Sequence, residues 1–176
     1  MTDMSTPRPA SAGTPASAGT RAGTGPAPAG AQRLVTFFAV PDCAKAMDFY
    51  RDALGAEEVS RTEAEDGTIM HAEMRLGDCL FQLSEPFPSY GLVGPPAEGN
   101  SFTMTYWNDD VDAVFNRLVA AGATVMAPLS DAFSGDRMGV VRCPYGIRWC
   151  IARHDRDVSA EEIEAAARAM IAAQDN

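Results

Sequence analysis

The sequence predicts an α+β fold made of two βαβββ modules whose strands form a curved mixed sheet around a cleft, with an extra helix at the C-terminus. The first of three supporting observations is a repeat. Residues 42–56 return without a gap as residues 109–123, with Asp42 on Asp109, Ala46 on Ala113, Gly55 on Gly122 and Ala56 on Ala123. The second is that each copy carries the same instructions in the same order: an apolar strand, an Asp, an apolar stripe at helical spacing, a Gly and a short strand. The third is a pair of further strand-like runs, joined by turn residues, on the C-terminal side of each copy. One helix covers only one face of a four-stranded sheet. Two modules placed side by side, with helices outside, leave their other faces to line a cleft.

Residues 1–33 are rich in Ala, Gly, Thr, Pro and Ser and repeat Ala-Ser-Ala-Gly-Thr at 10–14 and 16–20. They have almost nothing to bury, so a disordered tail is expected. The tail lacks the continuous apolar core of a secretory signal. Module one spans 34–84. Its first strand is 34–40, and its helix is capped by Asp42 and carries Met47, Tyr50 and Leu54 on one face. Strands come next at 57–62, 68–76 and 79–84, the last two joined by a Gly77-Asp78 turn. Residues 85–100 connect the modules. Four prolines rule out a strand there, yet Phe87, Tyr90, Leu92 and Val93 are more apolar than a solvated linker needs.

Module two spans 101–155. Its strand ends at Trp107, and its helix is capped by Asp109 with Val111, Val114, Phe115, Leu118 and Val119 as its stripe. A strand at 123–127, a polar loop at 128–137, and strands at 138–142 and 147–153 complete it. In 159–176, Ser159 and Glu162 form a capping box opening a helix whose apolar face is Ile163, Ala166, Ala167, Met170 and Ile171.

Composition narrows the function. Across 176 residues, 24 acids against 14 bases give a formal net charge of −10. Three of the bases lie in the tail, and Lys45 is the sole lysine. Such a surface repels phosphate backbones, so neither nucleic acid nor an anionic membrane is an expected partner. No apolar run reaches membrane-spanning length. The four cysteines, Cys43, Cys79, Cys143 and Cys150, lack metal-ligand spacing. They read as reduced thiols of a cytoplasmic protein.

The module order, with Ala46-Met-Asp-Phe-Tyr50, Leu54-Gly-Ala56, Met70-His-Ala-Glu73, Ala121-Gly-Ala123, Gly135-Asp-Arg137 and Pro144-Tyr-Gly-Ile-Arg-Trp149, resembles the vicinal-oxygen-chelate superfamily over residues 34–158. This group includes glyoxalase I, extradiol dioxygenases, fosfomycin-resistance enzymes and bleomycin-binding proteins. The PhnB-like branch, labelled glyoxalase/bleomycin-resistance-like, is the nearest in pattern. The resemblance implies four metal ligands, one on each of four strands. By register they fall at Val35 or Thr36, at Phe81 or Gln82, at Thr103 and at Cys150. These residues do not make a metal site, because a divalent cation wants several imidazole, carboxylate or thiolate donors together. No metal and no cofactor are therefore expected.

If Thr103 and Cys150 mark the inward side, alternation adds Phe37, Thr105, Trp107 and Arg148, with Phe81 or Gln82 on the fourth strand. That mixture of aromatic and polar side chains suits a small-molecule site, although large residues can also simply fill a cleft. His71 and Glu73, two apart on one strand face, are candidates for acid–base work together with Arg137. The other histidine, His154, reads as a surface residue. Cys150 reads as a buried thiol, with Arg148 as the only neighbour in sequence that could activate it.

Three functions are compatible with these residues. One is a metal-free binder sequestering a toxic or secondary metabolite, as the resemblance implies for resistance proteins. Another is an isomerase, lyase or tailoring enzyme working by acid–base chemistry in the same cleft. The third is a structural dimer with a filled cleft. A homodimer is expected in each case, with Tyr90, Leu92, Val93 and the last helix as contact surface.

Overall fold

The computed structural model describes residue 32 and residues 34–174. The tail expected at 1–33 lies, apart from residue 32, outside the described residues. The chain from Leu34 onward forms one compact unit. Module one contains β1 (Thr36–Ala39), α1 (Cys43–Phe49), β2 (Glu57–Glu63), β3 (Ile69–Leu76) and β4 (Cys79–Ser84). Module two contains β5 (Met104–Trp107), α2 (Val111–Ala120), β6 (Thr124–Asp131), β7 (Asp136–Arg142) and β8 (Arg148–His154). The added helix is α3 (Ala160–Gln174). The α+β architecture and both βαβββ modules are thus present. The strands pair as two sheets of four, ordered β1-β4-β3-β2 and β5-β8-β7-β6, rather than as one.

Each sheet repeats the other's register logic. β1 lies parallel to β4, and β5 lies parallel to β8, while the remaining pairs are antiparallel. The helices cover one side of each sheet, and those two sides share a single core. Met47, Tyr50 and Leu54 meet Val111, Val114, Phe115 and Leu118 there, with Phe38, Phe81, Trp149 and Ile151 from the strands. The Phe81 and Trp149 rings lie edge to face 6.1 Å apart, so the two modules touch through their helix-covered sides. Val119, expected in the α2 stripe, is partly exposed, because it falls one position beyond the arc that reaches the sheet.

The helix starts differ from the expected caps. Asp42 occupies the N-cap of α1 in a left-handed conformation (φ 53°), and its side chain bonds no backbone N–H there. Glu85 supplies the bond instead: its Oε1 accepts from the Cys43 N–H at 2.7 Å, from the far end of β4. In α2 the N-cap is Asp110, not Asp109, again without a side-chain bond. The glycines close both helices in left-handed conformations, Gly55 at φ 77° and Gly122 at φ 96°. Before Gly55, Tyr50–Leu54 widens into a π turn.

The loop expected at 128–137 is mostly strand. β6 runs through Pro128 to Asp131, and β7 starts at Asp136. Proline is tolerated because β6 is an edge strand and its register with β7 shifts between Ala127 and Ser130. The connector holds a short 3-10 turn at Pro88–Tyr90, closed by a Phe87–Leu92 bridge. It is tied to module two by Arg142, which donates to the Pro96 and Ala97 carbonyls, and by Asn100, which donates to the Gly146 carbonyl at 2.7 Å. The capping box is formed: the Ser159 N–H donates to Glu162 Oε2 at 3.1 Å, and Ser159 Oγ accepts from the Glu162 N–H at 3.3 Å. Ile163, Ala166 and Ala167 are half-buried, whereas Met170 and Ile171 stay exposed.

Candidate functional site

With one side of each sheet committed to the shared core, the other side is open, and strand alternation decides what it shows. In module one, Phe37 pairs with Gln82, and Gln82 pairs with Glu73. His71 lies two residues from Glu73 on the same strand side. The open face therefore brings Phe37, His71, Glu73 and Gln82 together. The Phe37 and His71 rings lie 5.8 Å apart, and Gln82 Nε2 donates to Glu73 Oε1 at 3.4 Å.

Phe81 goes the other way. It is 3% exposed and stacks on Phe38 with centroids 5.8 Å apart, inside the core. Of the two candidates on β4, Gln82 takes the open face. Pseudo-symmetry with β8 is expected to favour Phe81, but the strand registers make Gln82 the counterpart of Cys150 and Phe81 that of Trp149, and the helix side of β4 needs a large apolar residue against Tyr50 and Trp149.

Module two shows Thr105, Trp107 and Cys150 on its open face, with Thr105 opposite Cys150 and Cys150 opposite Val140. Arg148 and Thr103 join them, the Arg148 Nη1 donating to Thr103 Oγ1. Val140, Cys150 and Ala152 form a small buried cluster with Ala127 and Met138. Trp107 is 56% exposed, a large ring left in solvent. Sequence reasoning did not single out Met138 or Val140, although period-two alternation on β7 would have found both.

Arg137 stands apart from this chemistry. Its strand partner Arg153 and its contact with Asp112 of α2 place it on the helix side, away from His71 and Glu73. Its guanidinium is spent on two carboxylates, Asp112 at 2.6 and 3.0 Å and Asp131 at 2.9 Å. Those bonds raise its pKa further, so the guanidinium keeps its charge and does not serve as a base. His154 sits at the surface between Asp136 (2.7 Å) and Asp157 (3.1 Å), in keeping with its reading as a surface residue.

The thiol of Cys150 is held protonated. Burial raises its pKa, and Arg148 and a hydrogen bond with Thr105 only partly oppose this. The metal positions implied by resemblance resolve, on the open-face side, to Val35, Gln82, Thr103 and Cys150. They offer one amide, one hydroxyl already bonded by Arg148, and one neutral thiol. Among the described residues no group of three His, Cys, Asp or Glu side chains could hold a metal ion. This donor set does not fit a divalent cation.

The two open faces belong to different sheets, and each is turned away from the core that the sheets share. One chain therefore presents two separate open faces.

The same architecture occurs in known proteins. A family model described as Glyoxalase/Bleomycin resistance protein/Dioxygenase superfamily matches residues 32–151. The Mycobacterium bovis protein Mb0911c is 37% identical over 131 residues, covering 72% of this chain and 86% of that protein. The crystal structure of TioX from Micromonospora sp. ML1 is similar at 31% identity with a TM-score of 0.57, over 70% of this chain and 98% of that one. A PhnB protein from Bacillus cereus has the same fold at 24% identity and a TM-score of 0.54, over 69% of this chain and 99% of that one.

Proposed function

This chain belongs to the Glyoxalase/Bleomycin resistance protein/Dioxygenase superfamily, the vicinal-oxygen-chelate group, and on that premise we propose that it binds an aromatic small molecule without a resident metal. The observation that carries this reading is the composition of the open faces. Phe37 and Trp107 offer ring surface, Thr103, Thr105, Gln82 and Arg148 offer a few directed polar groups, and the ligand positions lack metal donors. Apolar walls with sparse polar groups are the ordinary make-up of a ligand site. Sequestration of a toxic or secondary metabolite is the biological role that fits a binder in a superfamily described partly by resistance.

The binding unit is a homodimer. Each chain exposes half-sites on two separate sheets, so a second copy is needed to set one open face against another. Tyr90 and Val93 in the connector are strongly exposed apolar residues, and with Met170 and Ile171 of α3 they are the surface we assign to that contact.

Tryptophan emission tests the binding reading. The two indoles are separable: Trp107 is exposed on the open face and Trp149 is 1% exposed in the core. Titration with a panel of aromatic natural products should give a saturable change that disappears in Trp107→Phe. A panel without any saturable change, or one surviving that substitution intact, contradicts the proposal.

A second reading rests on the His71–Glu73 pair beside Phe37. In it, the same open face performs proton transfer on a bound substrate, as an isomerase or lyase does. Turnover abolished by His71→Ala with binding retained would move this reading to the front.

A further inference from the structure

One end of the open face of module two carries positive charge that no described carboxylate neutralises. Arg142 closes β7 and Arg148 opens β8, and the register sets them directly opposite each other, on the side that also shows Val140 and Cys150. Like charges placed so are destabilising. Both residues are half-buried, and neither forms an ion pair among the described residues. The chain as a whole has a formal net charge of −10. In it, Arg51, Arg61, Arg137, Arg153 and Arg168 each pair with a carboxylate. Arg75, Arg117 and Arg156 form no such pair either, but they are exposed, where water screens a lone charge.

The two guanidinium groups are used differently. Arg142 is spent on structure: its Nε donates to the Gly146 carbonyl at 3.2 Å, and its terminal nitrogens donate to the Pro96 and Ala97 carbonyls. Its charge remains. Among the described residues Arg148 makes one hydrogen bond, from Nη1 to Thr103 Oγ1. Its other N–H groups are left to give, and the Thr103 hydroxyl that accepts this bond keeps its own proton to donate. Cys150 supplies no counter-charge, because burial keeps its thiol neutral. The acid that β7 carries on this side is Asp136, about 20 Å along the strand from Arg142. It is already bonded by Ser134 and His154.

A carboxylate is the complement of a half-buried guanidinium, since its two oxygens accept two parallel N–H bonds. Thr103 adds a third donor. Trp107 stands four residues from Thr103 on the same side of β5, about 13 Å along the strand. A ligand that meets both therefore extends its rings well away from its acid group. We propose that the ligand of this open face is an aryl carboxylate of two or more rings, with its carboxylate held by Arg148 and Thr103 and its far ring lying on Trp107. This inference rests on the binding reading above and deepens it by naming the charge and length of the ligand. The acidic surface repels such a molecule at a distance, so its affinity comes from the contact itself.

The test is two-dimensional NMR of the full chain titrated with biphenyl-4-carboxylate and with biphenyl-4-carboxamide, which keeps the shape and loses the charge. The acid should bind about tenfold more tightly than the amide, the difference a charged hydrogen bond makes. Its saturable shifts should include the Thr103 amide and the Trp107 indole. Arg148→Gln should bring the acid down to the affinity of the amide and leave the amide unchanged. Arg148→Lys keeps the charge without the planar fork and should retain part of the preference, which serves if the Gln variant folds poorly. Arg51→Gln, an equal loss of charge on the helix side, should leave the preference intact. An amide that binds as tightly as the acid, or a preference that survives Arg148→Gln, overturns this inference and leaves the open-face binder standing. No saturable shift with either compound overturns both.

Discussion

The cysteines differ in chemistry because they differ in surroundings, and that difference can be measured directly. Cys43 is fully buried beside Glu85, and burial followed by that negative charge pushes its pKa up to about 12. Burial also raises Cys143 and Cys150. Cys79 is exposed. Brief alkylation of the native protein near neutral pH should therefore place a single adduct on Cys79, read by peptide mass spectrometry. Rapid labelling of Cys150 would mark it as an activated nucleophile and favour the enzyme reading.

His154 supplies a pH prediction. Its bonds to Asp136 and Asp157 raise its pKa above the ordinary value of 6.5. The folded-state pKa then exceeds the unfolded one. Its stabilisation is fully present below the unfolded pKa and is lost as pH rises through the folded pKa. The stability gap between wild type and His154→Gln, from urea unfolding, should be widest in the acid range and should close as the pH is raised above about 6.5. A gap that grew with pH would refute the pairing.

Elements were legible where periodicity was strong and obscure where a partner decided the outcome. The α1 and α2 stripes, the β3–β4 hairpin and the Ser159 capping box could all be read from spacing alone. The caps could not: an Asp before a helix reads as an N-cap, but Glu85 holds the first turn of α1, and only the tertiary fold brings it there. Pro128 argues for a loop because proline cannot donate to a ladder. The edge position of β6, invisible in sequence, removes that objection. Gly139 of β7 and Ser159 of α3 are the positions where the elements can be tested. A Cβ at Gly139 would lie 2.5 Å from Phe115 Cε2 and 3.0 Å from Leu129 Cα. Gly139→Ala should therefore cost about 1–3 kcal/mol by urea unfolding. Ser159→Ala removes the capping bond of α3 and should cost about 1 kcal/mol locally, seen as faster amide exchange in its first turn while the sheets stay protected.

For the whole molecule, the repeat carried the fold, because two copies of one instruction must build two like modules. The site was only half legible. Alternation assigned Phe37, Thr105, Trp107 and Cys150 to open faces, but the choice between Phe81 and Gln82 needed the core to be seen. Nor does spacing reveal that the modules join through their helix sides and leave two open faces per chain. That arrangement underlies the central proposal, a metal-free binding site completed by a second copy. Native mass spectrometry of freshly purified protein tests it most directly, since one spectrum weighs the assembly and everything carried with it. The expected species is a dimer without metal, with a co-purified or added aromatic compound retained by the dimer. A monomer that still binds the compound, or a dimer carrying stoichiometric zinc, nickel, manganese or iron, would contradict it.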